Sequence, residues 1–155
     1  MKIITTLLLF SGLVLAGSSI SISSINSFKE TDSPVRKVFK NPDEKKQQLI
    51  LWTSGDREVA LKMVFMYSLN CKKYSWMDNV RLLIWGPSAK LLSGDAELQK
   101  YLSELKKAGV ELYACKACAD MYGVSEKLTN LGVTVVYAGK MLADLQKDGW
   151  FILSI

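Results

Sequence analysis

No histidine occurs anywhere in this 155-residue chain. That gap removes Ser-His-Asp and Cys-His nucleophilic catalysis, together with every histidine-ligated zinc site. Cysteine is scarce too. The three present, Cys71, Cys115 and Cys118, supply neither the four thiolates of an all-cysteine zinc site nor a disulfide lattice. The expectation is therefore no metal and no cofactor. The phosphate-binding and nucleophile-elbow patterns GxGxxG, GxxxxGK[ST] and GxSxG are all missing, so dinucleotide, P-loop and hydrolase readings have nothing to rest on. A strong basic field is missing as well. The net charge is +5, or +4 once Lys2 is set aside with the N-terminal apolar segment, and the lysine pairs at 45–46, 72–73 and 106–107 are scattered, so no nucleic-acid partner is expected.

What is present is ordinary globular chemistry: 49% hydrophobic and 23% charged residues, enough for one domain. The first 16 residues stand apart. Met1-Lys2, the apolar run Ile3–Ala16 and a small-residue Val14-x-Ala16 step read as a secretory signal peptide, its end extending to about residue 24 at most. The run is too short and too diluted for a membrane span, which needs ~20 apolar residues. The expectation is an exported protein, periplasmic or secreted, without stable membrane insertion once the leader is cleaved. Residues 17–46 read as a flexible linker, since 29–46 alone carry ten charges and two prolines.

From Gln47 onward the signals are regular. Gln48–Trp52 and Val80–Trp85 are short continuous apolar runs, the pattern of strands buried on both faces. Between them Ser54 or Asp56 can cap a helix over Arg57–Lys73. Asp95–Gly109 is the clearest helix, with Leu98, Tyr101, Leu102, Leu105 and Ala108 at helical spacing, Asp95 at its start and Lys106-Lys107-Gly109 at its end. Val110–Ala114 is the third strand and runs directly into Cys115-Lys-Ala-Cys118 and a short helix stopped by Gly123. Ser125 is placed to cap the next turn, which ends at Gly132. Val133–Ala138 reads as the fourth strand, Lys140–Lys147 as a short helix and Trp150–Ile155 as the last strand. Alternating strands and helices predict a three-layer α/β domain over 47–155, with about five mainly parallel strands and helices on both faces. Right-handed crossovers then bring the strand ends carrying Ser54-Gly55, Trp85-Gly86 and Cys115 to one edge of the sheet.

A cysteine at a strand–helix junction meets orphan backbone N–H groups that favour thiolate. Three readings of Cys115 and Cys118 stay open on the residues alone: small core residues in a non-catalytic module, a dithiol–disulfide redox pair, or a nucleophile carrying sulfur as a persulfide. None of the prolines at 34, 42 and 87 precedes the strands at 133 or 150, where a thioredoxin-type pair would set its cis-proline. Lys116 and Lys90 are candidates for positive potential near the thiol. Cys71 falls within the first helix as a core residue.

The segment from Gln48 to Ile155 resembles the DsrE family, which includes TusD-like sulfur-relay subunits. The matching features are LILWTSGD with its long helix, LLIWGPSAKLL, the helix LQKYLSELKKAGV, and Gly109-Val-Glu-Leu-Tyr-Ala-Cys115 with Gly123-Val124 beyond. The resemblance implies a persulfide on Cys115, a weaker role for Cys118, homo-oligomers (trimer or hexamer), and a protein donor or acceptor of sulfur. The leader is a departure, because the relay subunits that serve tRNA modification are cytoplasmic.

Overall fold

The computed structural model describes residues 45–155. The expected signal peptide, and the expected linker apart from its last two residues, lie outside the described residues. Five strands form one sheet: β1 (Gln47–Trp52), β2 (Asn79–Ile84), β3 (Glu111–Cys115), β4 (Thr134–Val136) and β5 (Phe151–Ser154). The spatial order is β4-β3-β2-β1-β5 and every pairing is parallel. Register is continuous through the centre, with Ile50 facing Leu82 on one side and Leu153 on the other, and Leu82 facing Leu112.

The strand order dictates the layers. The chain steps from β1 to β4 in one direction, so right-handed crossovers put all those helices on one face; the return to β5 puts the last helix on the other. The first face is thickly covered. It carries α1 (Arg57–Val59), a π-helical segment (Ala60–Phe65), α2 (Met66–Lys73), α3 (Pro87–Gly94), α4 (Ala96–Lys107), α5 (Lys116–Met121) and α6 (Ser125–Asn130). Here Ile50, Trp52, Leu82 and Ile84 pack against Val64, Phe65, Leu98 and Leu102, and Trp52 meets Phe65 edge-on at 5.2 Å. The second face holds only α7 (Ala138–Lys147), whose Ala138 and Leu145 close a small core with Leu49, Leu83 and Cys115. Alternate residues of one strand thus serve two cores of unequal depth.

Local chemistry explains most boundaries. Asp95 caps α4, its Oδ1 accepting from the N–H groups of Glu97 and Leu98 at 3.0 Å each. At the other end Gly109 takes φ +88° and the helix closes through Gly109 N–H to Lys106 O and Val110 N–H to Leu105 O. Asp56, rather than Ser54, caps the first helix by accepting from Val59 N–H.

Four details differ from the sequence reading. The first long helix contains the π-helical segment, which no periodicity announces. Helix α3 follows Gly86 directly, with Pro87 in its first turn, where a missing N–H costs nothing. The fourth strand is three residues long, because α7 already begins at Ala138. Ser125 lies inside α6 instead of capping it, and its hydroxyl donates to Asp120.

Candidate functional site

The C-terminal ends of β1, β2 and β3 lie side by side on one edge of the sheet. Ser88, buried at the start of α3, ties two of them together: its hydroxyl donates to Trp52 O at 2.7 Å and accepts from Trp85 N–H at 3.0 Å. That clamp holds the turn at Trp85-Gly86-Pro87 in place. Gly86 sits at φ +73°, ψ −134°, a conformation essentially reserved for glycine, and its N–H points to the sulfur of Cys118.

Cys115 ends β3 and is the cap residue of α5, with φ −69°, ψ 114° and no capping hydrogen bond from its side chain. It is only 5% exposed and belongs to the thin core beneath α7. Cys118, one turn on, is half-buried and packs on the same cluster. The two thiols are free, share one cluster and lie close enough for Cys115 to influence the ionisation of Cys118. Burial pushes the Cys118 thiol up first, the neighbouring Cys115 adds to this, and the Gly86 N–H acts in the opposite direction. Helix α5 has six residues, so its dipole is smaller than that of the longer helix a strand–helix junction brings to mind.

The other sequence-derived candidates divide into two groups. Trp85 packs on the cluster that holds both cysteines, and Gly86 touches Cys118. These four residues form one site. Lys116 is next to Cys115 in sequence, but its ammonium is bonded to Asp120 at 2.5 Å, and that carboxylate holds it above its usual pKa. Its charge is committed to its own helix. Ser54 and Gly55 lie at the end of β1, two strands from Cys115. The Ser54 N–H binds Ile155 O and its hydroxyl accepts from Asp56 N–H. Gly55 lines a separate open cleft of about 430 Å³ with Pro87, Lys90 and Asp95. Lys90 therefore faces that cleft and not the thiols.

Sequence reasoning passed over two further features. Ser88 gave no signal beyond its place after Gly-Pro. The rim of the thiol site was also missed: Met121, at the end of α5, is 80% exposed, and Tyr137, which follows β4 and lies close enough to Lys116 to influence it, is 71% exposed. Among the described residues no group of His, Cys, Asp and Glu is arranged to hold a metal ion. No described helix is long and apolar enough to cross a membrane.

Residues 58–155 match the DsrE/DsrF-like family. Over 71% of its length the chain superposes on 95% of a conserved protein of unknown function from Bacteroides thetaiotaomicron, with 36% identity and a TM-score of 0.69. A protein of unknown function from Methanobacterium thermoautotrophicum shares the fold: 21% identity, TM-score 0.56, covering 71% of this chain and all of that one. No curated protein matches the chain. The family match runs over more than half of the residues and includes both cysteines of the site, and the chain belongs to the DsrE/DsrF-like family.

Proposed function

We propose that this protein binds and passes on sulfane sulfur, held as a persulfide on Cys115. The observation that carries the reading is the position of Cys115 at the β3–α5 junction, on the ligand-collecting edge of a parallel sheet, with a second thiol packed in the same cluster. Persulfide formation needs a sulfur nucleophile and a sulfane donor. It requires no histidine and no resident cofactor, which suits a chain that has no histidine. Family membership supports the same sulfur-relay class of function. Cys115 is 5% exposed, so a sulfur carried there is shielded from bulk thiols.

A sulfur carrier must meet its donor and acceptor, and Met121 and Tyr137 offer exposed apolar surface beside the thiols for a protein partner or for further copies of the chain in a trimer or hexamer. Export by the N-terminal leader would place this exchange outside the cytoplasm.

The test is intact-mass spectrometry after incubation with inorganic polysulfide. Wild type gains about 32 Da on Cys115, reversibly with reductant, and Cys115→Ser does not. If Cys115→Ser gains the same mass, Cys115 is not the carrier. If folded wild type stays at its reduced mass throughout and Cys115 resists alkylation, the site is a packing feature of a non-catalytic module.

A further inference from the structure

Persulfide carriage at Cys115 leaves Cys118 without a task, yet Cys118 is the group that the fold sets against it. We propose that Cys118 resolves the Cys115 persulfide, expelling the carried sulfur as hydrosulfide and closing a Cys115–Cys118 disulfide. This step rests on the persulfide reading above and adds a limit to it, since sulfur not handed to an acceptor is released by the chain itself.

Three observations converge on this role. Both cysteines pack in the same small cluster beneath α7, so attack is intramolecular and carries the large advantage of a preset encounter. Their spacing also fits. Residues three apart on a helix have Cβ atoms about 5–6 Å apart, and a disulfide needs about 4 Å. Cys115 is the cap, outside helical geometry at ψ 114°, so a small rotation at that residue closes the gap without unwinding α5. Finally, the remaining cysteine cannot compete: Cys71 is fully buried in the core on the opposite face of the sheet.

The chemistry balances without an outside oxidant. The Cys118 thiol gives up its proton, and its sulfur attacks the inner sulfur of Cys115–S–SH. The bond from that inner sulfur to the outer one breaks, and the electron pair leaves with the outer sulfur as hydrosulfide, which takes up the proton. Two thiol-level sulfurs are oxidised to the disulfide and one sulfane sulfur is reduced to sulfide. Run backwards, hydrosulfide opens the disulfide at Cys115 and regenerates the persulfide and the Cys118 thiol. An external thiol reductant returns the disulfide to two thiols.

The experiment uses the full chain, reduced, loaded with inorganic polysulfide, desalted, and followed in time by intact mass and by assay of released sulfide. In wild type the peak about 32 Da above the reduced protein gives way to one about 2 Da below it, with about one sulfide released per chain. In Cys118→Ser the added sulfur stays on Cys115 about tenfold longer or more. If Cys118→Ser releases sulfide at the wild-type rate, resolution by Cys118 is overturned while carriage by Cys115 stands. Resolution is equally overturned if loaded wild type keeps its extra sulfur and the Cys118 thiol stays alkylatable, a measurement that needs no variant. If no sulfur is ever found on Cys115, carriage itself fails and resolution falls with it.

Discussion

Substituting Gly86 by alanine separates the backbone contribution from the side-chain contribution at this site. Gly86 has φ +73° and ψ −134°, and a Cβ built there meets nothing within 4 Å, so any penalty comes from the backbone alone. A non-glycine residue held in such a region costs of order 1–3 kcal/mol, and the following Pro87 narrows the options further. For about 110 ordered residues, ~2 kcal/mol corresponds to a fall of roughly 6–12 °C in Tm. The internal control is Gly139→Ala at an exposed position of α7, where φ is not positive and space is also open. There alanine should be neutral or stabilising by up to about 1 kcal/mol, the same chemical change with the opposite sign. Gly86→Ala has a second expected signature. An alanine that relaxes out of positive φ swings its N–H off the Cys118 sulfur, removing the one influence that lowers that thiol's pKa. Alkylation of Cys118 at fixed pH should therefore slow, while Gly139→Ala leaves it unchanged. Thermal unfolding and a thiol-labelling time course read both effects. If Gly86→Ala matches wild type in Tm and in Cys118 labelling, the turn does not hold the thiol.

Asp95 accepts two helix-start N–H groups and also pairs with Arg57, so Tm should fall in the order wild type, Asp95→Asn, Asp95→Ala, by a few degrees overall. Its carboxyl is held below the ordinary range, first by the Leu98 N–H and then by Arg57, so this contribution is present above about pH 4 and fades as pH falls. A flat Asp95→Ala difference from pH 7 to pH 3 would contradict this. At the alkaline end, burial and the contact with Cys71 push the Tyr67 hydroxyl up to about 12. The folded chain keeps a proton that the unfolded chain releases near pH 10, so stability holds below about pH 10 and declines towards pH 12. Denaturant midpoints across that window should show the decline, and Tyr67→Phe should reduce it.

Much of the architecture was legible along the chain because it rests on local periodicity and capping. The five apolar runs, the Asp95 and Gly109 ends of α4 and the Cys115 junction all involve residues within a turn or two of each other, and the parallel sheet follows from the alternation of strands and helices. Elements whose cause lies elsewhere were not legible. The π-helical segment carries no periodic signature, α3 is announced only by Pro87, and the end of the fourth strand depends on where α7 packs.

The site divides along the same line. From sequence alone came a thiol pair at the end of the third strand, with a glycine turn ending the strand beside it. Only the tertiary structure decided that Cys115 faces the thin core under α7 and is nearly closed to solvent. The Gly86 N–H reaches Cys118 for the same kind of reason, and Lys116 turns to Asp120 instead of the thiols. Distance along the chain does not encode which face of a sheet a side chain meets, nor which donor from another strand lies against it. Those contacts arise from strand order and crossover hand, and both are settled when the whole sheet assembles.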